Sequence, residues 1–398
     1  MRFTAAASVL AFLLAGCGGD DGGGGGSTSG PGPTPTATAT PTPSPTPTAS
    51  STPTPAPTTT SVTRSPVATF DNPWAMVFLP DGRLLVTEKP GKLWLVTTAG
   101  AKTQVSGVPA VTYSGQLGFQ DVILAPDYAT TGRVYLSYAE PATGGQRLAV
   151  ARATLSLAGA PALTNLSVIW RATPTTTGGQ LGARLAFSRD GYLFVSSGER
   201  QQGTPAQDLG GTLGKILRLN ADGTTPAGNP FAGTAGARSE IWTLGHRNPY
   251  GLVFASDGRL FESEMGPAGG DEFNLITSGR NYGWPRASNG DNYDGSPIPD
   301  HRAGDGFEAP LVSWTPVIAP GGMIQYTGTR FSGWTGDFIL AGLAQGGIVR
   351  VRVTGSTATE AARISLGNRI REVEQGPDGA IWVLEDGGSG RLVRLDPA

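Results

Sequence analysis

Between Leu244 and Pro285 the chain gathers Arg247, Asn248, Glu264, Asp271 and Glu272 around the bare-backbone steps Gly266-Pro267 and Gly269-Gly270. That is more polar chemistry than a packed core accepts without partners. Carbonyls unshielded by side chains, beside carboxylates, are what a hard cation such as calcium selects. An arginine adds a planar fork for an anion. The stretch reads as a site for a metal ion and an anionic small molecule. It is carried on a hairpin, since Phe254, Leu260 and Phe261 flank the turn Asp257-Gly258.

The same phrase recurs along the chain. Asp81-Gly82 precedes Arg83 to Glu88, Asp190-Gly191 precedes Tyr192 to Val195, and Asp378-Gly379 precedes Ala380 to Val383. Each Asp-Gly supplies a tight turn with positive φ, and the apolar strand after it packs inward. Short antiparallel strands in a unit of roughly 55–65 residues, with almost no helical periodicity, predict an all-β propeller of about six blades. A funnel at one end of such a ring gathers loops from every blade, so distant segments can build one site.

The first part of the chain is of a different kind. Residues 1–16 hold Arg2, an apolar run through Leu14 and then Leu14-Ala15-Gly16-Cys17, which predicts a lipoprotein signal peptide with Cys17 acylated. Residues 17–64 form a Gly-rich, then Thr/Pro/Ser-rich linker with nothing to pack, leaving residues 65–398 for the folded domain. The expectation is a protein lipid-anchored at the periplasmic face of a bacterial membrane, with the outer membrane a suitable destination. Cys17 is the only cysteine, so no internal disulfide can form. The 29 basic and 31 acidic residues are interspersed, without the basic stripe that a nucleic-acid surface needs.

From Asn72 to the carboxyl end the chain resembles the soluble PQQ-dependent aldose (glucose/sorbosone) dehydrogenases. The phrases that carry the resemblance include Gly115-Gln116, Ala206-Gln207-Asp208, Gly245-His246-Arg247-Asn248-Pro249, Glu264 to Asn274, Asn281-Tyr282-Gly283-Trp284-Pro285 and Arg369 to Val373. The resemblance implies a six-bladed β-propeller with PQQ and a calcium ion in its funnel, oxidising aldose sugars at the anomeric carbon. It implies that Arg247 and Asn248 contact the cofactor, that Arg369 and Arg371 grip its carboxylates, and that Gln116 faces cofactor and sugar. It places the cofactor-side calcium on the main chain of Gly266 and Pro267. A second, structural calcium falls at Glu272 and the Tyr282 region, with Asp271 beside it. Electrons pass to a separate acceptor, because the chain has no Cys-x-x-Cys-His haem motif.

Departures cluster at the catalytic end. The family's base histidine corresponds to Gln180, which accepts no proton near neutral pH. Its neighbouring aspartate corresponds to Glu199, one methylene longer and able to take the proton in its place. A cofactor-contacting lysine corresponds to Ala344, and Gly179 stands where some members have an aspartate. His246 is expected to be structural and His301 a solvated loop residue. Glu88 and Glu385 read as exposed charges, and Lys215 with Arg218 as a solvated strand face. Trp314 reads either as a sugar-stacking wall or as a packed blade residue. Asp208 reads as a structural carboxylate. Two other functions fit part of these residues: a non-catalytic PQQ- or sugar-binding propeller, and a calcium-dependent sugar lactonase using Glu264, Glu199 or Asp208. The lactonase leaves the paired arginines without a task.

Overall fold

A computed structural model of the chain describes residues 58–59 and 61–398. The expected signal peptide, Cys17 and most of the linker lie outside the described residues. Among the described residues, six sheets of four antiparallel strands follow one another along the chain, one of them extended by the parallel strand Thr58–Thr59, and a two-stranded ribbon joins Ala268–Gly269 to Gly290–Asp291. Their innermost strands are Pro73–Phe78, Phe119–Leu124, Gly182–Phe187, Pro249–Phe254, Pro320–Gln325 and Ile370–Gln375, which begin blades 1 to 6. Each inner strand touches the inner strands of the two neighbouring blades, so the ring closes. This is a six-bladed β-propeller. Blade 6 is completed by Val62–Phe70, which pairs with Gly390–Pro397 and fastens the two ends of the domain together. That strand begins ahead of residue 65, so the folded part starts slightly earlier than the sequence suggests.

The turn expectation holds. Gly82, Gly191, Gly258 and Gly379 have φ of 85°, 85°, 89° and 79°, and each joins the first two strands of a blade. Only glycine takes that conformation without strain.

The apolar core is divided among the seams between blades. One buried cluster fills each seam: Phe119 with Leu85 between blades 1 and 2, Trp170 with Leu217 between 2 and 3, Phe194 with Leu252 between 3 and 4. Phe273 with Phe338, Tyr326 with Val383, and Trp382 with Val86 fill the remaining three. At roughly 1.5–3 kcal/mol for each fully buried large side chain, these seams hold the ring together.

All six inner strands carry a register shift near their first residues, which re-aims side chains there toward the axis. At the third position blades 2, 3 and 6 supply Asp121, Arg184 and Glu372, while blades 1, 4 and 5 supply only Ala75, Gly251 and Gly322. The Arg184 guanidinium crosses the axis to Glu372, lies 3.4 Å from Asp121, and donates to the Tyr250 carbonyl at 2.7 Å. It also rests 4.1 Å from the Trp74 ring. A Cβ on Gly322 would fall inside the Glu372 carboxylate. This ion cluster plugs the axis. On its hairpin side lies a cavity of about 470 Å³ lined by Val77, Ile123, Val253, Ile324 and Glu374.

Candidate active site: a cationic funnel with two lobes

The opposite end of the axis is floored by Trp74 and Tyr250, packed edge to face at 5.8 Å. Above them is a cavity of about 280 Å³ whose walls include Lys89, Gln116, Met265, Leu343, Arg369, Arg371 and Asp386. Arg369 and Arg371 each reach Asp386, at 3.1 and 3.0 Å. Lys89 donates to the Gly115 carbonyl at 3.2 Å. Three cations therefore share one carboxylate, and the lobe is set up for an anion with more than one negative group. Burial, then Arg371, pushes the Lys89 ammonium down from its ordinary value. Burial pushes the Asp386 carboxyl up, but Arg371, Lys89 and Arg369 outweigh it and leave the group below the usual range.

The second lobe, about 240 Å³, is lined by Gln180, Glu199, Gln201, Arg247, Pro267, Trp284 and Tyr293 among others. The lobes are tied together. The Gln180 backbone N–H donates to the Gln116 side-chain oxygen at 2.5 Å, and Arg247 Nη1 donates to the Met265 carbonyl at 2.9 Å.

Glu199 is buried at the end of a strand, where Gln201, Gln202 and Gly203 turn three backbone N–H groups onto its carboxylate. Burial still pushes its pKa up, against those donors and Arg247. Arg200 fixes the facing loop, its guanidinium donating to the carbonyls of Gly179 at 2.9 Å, Gln146 at 3.2 Å and Gly178 at 2.6 Å. Gln180, at φ 51°, is held by that clamp with its side-chain oxygen 3.2 Å from the Gln201 N–H.

The opening stretch of the sequence builds the side wall. Arg247 Nη1 donates to the Gly266 carbonyl at 2.7 Å, so that carbonyl already faces a cation. A Cβ on Gly266 would collide with the carbonyls of Gly269 and Gly270, which shows how closely bare carbonyls crowd this loop. Asp271 spends its two oxygens on the N–H groups of Gly266 at 2.9 Å, Ile318 at 2.7 Å and Ala319 at 2.6 Å. It ties loop to loop, and burial raises it to about 6.

Behind this wall the period of two along the strands puts Glu262 and Glu264 opposite Asn274 and Glu272, all buried. His246 bonds Thr243 at 2.9 Å and Glu264 at 3.2 Å and stacks on Tyr282 at 4.7 Å, the structural role expected of it. The Tyr282 hydroxyl is spent on the Leu275 carbonyl at 2.6 Å. Ligand atoms of His246, Glu262 and Glu264 lie within 4.8 Å of one another. Burial and Glu264 drive the Glu262 carboxyl well up. That compact set is one imidazole and two carboxylates, and the Asn274 amide links Glu262 to Glu272 at 3.0 Å each; carboxylate oxygens are the donors a hard cation takes.

Of the expected site residues, Gln116, Gln180, Glu199, Arg247, Pro267, Arg369 and Arg371 line the funnel. Asn248 does not reach either lobe; it is buried, with its amide on the Gly182 N–H at 3.4 Å and the Met265 sulfur at 3.8 Å. Asp208 is likewise absent from both walls, and its carboxylate caps the Gly210 N–H at 2.8 Å. The expected environments of five residues are corrected. Glu88 and Glu385 are buried, the first accepting the Asp71 N–H at 2.8 Å and the second bonding Asn368 at 3.0 Å and Arg391 at 2.7 Å. Lys215 is fully buried, its ammonium holding the carbonyls of Pro205, Ala206 and Leu213 at 2.8, 3.0 and 2.7 Å. Arg218 is half-buried between the Tyr192 and Trp242 rings. The His301 ring is covered, 3.6 Å from Glu272. Trp314 is the packed residue, donating to Glu360 at 2.6 Å.

Sequence reading missed Lys89, Trp74, Tyr250 and Asp386. Lys89 had a signal, since it follows the glutamate that ends the second strand of blade 1, and that strand end meets the funnel. Ala344 is exposed and supplies no cation, whereas Lys89 from blade 1 brings an ammonium to the lobe.

Fold and site define a six-bladed propeller with a cationic funnel and a buried carboxylate beside it. The chain belongs to the glucose/sorbosone dehydrogenase family, whose profile matches residues 70–394. It is 40% identical over 337 residues to the aldose sugar dehydrogenase YliI of Escherichia coli strain K12, covering 82% of this chain and 90% of that protein. Its fold matches the crystal structure of the soluble aldose sugar dehydrogenase of Escherichia coli in the apo-form, with a TM-score of 0.81, 38% identity, and coverage of 85% of this chain and 100% of that one. It also matches the PQQ-bound form of aldose sugar dehydrogenase from Streptomyces coelicolor, with a TM-score of 0.70, 28% identity and coverage of 86% and 99%.

Proposed function

We propose that this protein oxidises aldose sugars at the anomeric carbon with PQQ as cofactor and calcium as its companion ion, passing electrons to a separate acceptor. The observation that carries the reading is the convergence of Lys89, Arg369 and Arg371 on one lobe with a single balancing carboxylate. PQQ, a tricarboxylate, needs that surplus, and a lactonase does not. When bound, PQQ supplies the two-electron acceptor. Arg369, Arg371 and Lys89 would hold its carboxylates, and Arg247 would orient its other end. The main-chain oxygens of Gly266 and Pro267 would hold a calcium ion polarising that end.

Gln180 cannot act as base. Glu199 stands beside it in the same lobe, ionisable and raised by burial, and takes the proton of the anomeric hydroxyl. Its three backbone donors keep the carboxylate oriented.

The test is reconstitution with PQQ and calcium, followed by dye reduction over a panel of aldoses. Saturable cofactor binding with sugar-dependent reduction supports the reading. Cofactor binding with no turnover on any sugar leaves the binding-only alternative. The anchor belongs to the same proposal: acylation at Cys17 would hold the enzyme at the periplasmic face of a bacterial membrane. Incorporation of labelled palmitate that persists in Cys17→Ser would refute it.

A further inference from the structure

Two of the large apolar side chains left exposed among the described residues are tyrosines beside funnel cations. The Tyr113 ring lies 5.9 Å from the Lys89 ammonium, and the Tyr293 ring 5.6 Å from the Arg247 guanidinium. Tyr293 is 78% exposed, yet it is held firmly. It sits in a turn closed by Asn292 N–H to the Ser296 carbonyl and Gly295 N–H to the Asn292 carbonyl, both at 2.9 Å. Its hydroxyl accepts Arg247 Nη2 at 3.1 Å. An aromatic ring fixed in solvent contributes nothing to the core, so packing gives no account of it.

Below Tyr293 the same lobe contains Trp284, whose ring is 5.1 Å from Arg247. The Trp284 backbone is pinned by Gln207, which donates to its carbonyl at 2.7 Å and exchanges bonds with Asn281. The Trp284 indole N–H and Arg247 Nε are buried and have no protein partner. Unspent donors of this kind point to a ligand with acceptor oxygens. Glu199, Gln180 and Asn292 add acceptors and donors around the same space.

Aromatic faces beside a ring of polar groups match a pyranose, which offers a C–H face and equatorial hydroxyls. A flat polyanion would favour the Lys89 lobe. We propose that Tyr293 and Trp284 form the aromatic wall of a sugar subsite, holding the pyranose whose anomeric carbon is oxidised. The inference rests on the dehydrogenase reading and adds the residues that set sugar affinity.

The experiment uses the full chain loaded with PQQ and calcium, and compares Tyr293→Ala and Tyr293→Phe with the parent. Steady-state kinetics on aldoses, sugar binding by calorimetry and a separate PQQ titration are measured. Loss of one stacking face is worth about threefold to tenfold. Tyr293→Ala should raise KM and the sugar Kd by that much, with kcat and PQQ affinity kept. Tyr293→Phe, which keeps the ring and loses only the Arg247 bond, should lose less sugar affinity than Tyr293→Ala. Unchanged sugar affinity in Tyr293→Ala, equal loss in Tyr293→Phe, or weakened PQQ binding would each overturn the subsite while leaving the dehydrogenase reading intact. A loaded parent protein with neither turnover nor saturable sugar binding would overturn both.

Discussion

The side-chain oxygen of Gln116, at the entrance to blade 2, accepts the backbone N–H of Gln180, at the entrance to blade 3, at 2.5 Å. A Cβ on Gly179 would come within 2.6 Å of that oxygen. The glycine at 179 and the position of Gln116 thus depend on each other, and in the lobe beside that loop Glu199 is the carboxylate.

If Glu199 carries the proton, Glu199→Gln in the loaded enzyme should lower kcat by about 10²–10⁴. PQQ affinity should hold, because Glu199 lines the other lobe. Gln180→His should change kcat by less than about tenfold, since a base is already present. Parent activity should fall on the acid side at a pH above the ordinary glutamate range, following the raised carboxyl. Rate–pH profiles of the three proteins check all of this.

Lys89→Gln removes one of three cations from the cofactor lobe. A hydrogen bond to a charged group is worth about 1.5–3 kcal/mol, so PQQ should bind about 10–100-fold more weakly. Ala344→Lys, made in that background, should restore part of the loss if it reaches the same lobe. Titration of PQQ by fluorescence quenching reads both.

Gly322→Ala puts a methyl group where the Glu372 carboxylate lies. Overpacking of this kind costs about 1–3 kcal/mol, and here the displaced group is also the partner of Arg184. A lowered urea midpoint with unchanged slope is the expected outcome. A midpoint equal to the parent's would mean the axial plug is slack.

Glu374 faces the hairpin-side cavity, where burial first and Glu372 second hold its carboxyl up to about 8. Glu372 itself is held at about 7 by burial, with Arg184 opposing and Asp121 adding. Both folded values exceed the ordinary one, so their contribution is whole below the ordinary carboxyl range. It is lost as pH rises through about 7 and about 8. The folded protein should therefore weaken between about pH 5 and about pH 9, and Glu374→Gln should flatten part of that slope. Urea melts at both ends of the range measure it.

The blade turns were legible because Asp-Gly chemistry is local: positive φ at Gly82, Gly191, Gly258 and Gly379 needs no knowledge of the rest of the chain. The family, the blade number and the paired Arg369 and Arg371 were likewise written in ordered short phrases. Environments were not. Glu88, Glu385 and Lys215 have the composition of a solvated face and lie buried, because neighbouring loops and strands supply their partners. Nor could spacing along the chain bring Lys89 beside Arg371 or send Arg184 across the axis to Glu372. Ring closure does that: six inner strands converge on one line, so residues hundreds of positions apart share a few ångströms of space, and only the folded ring decides which charges meet.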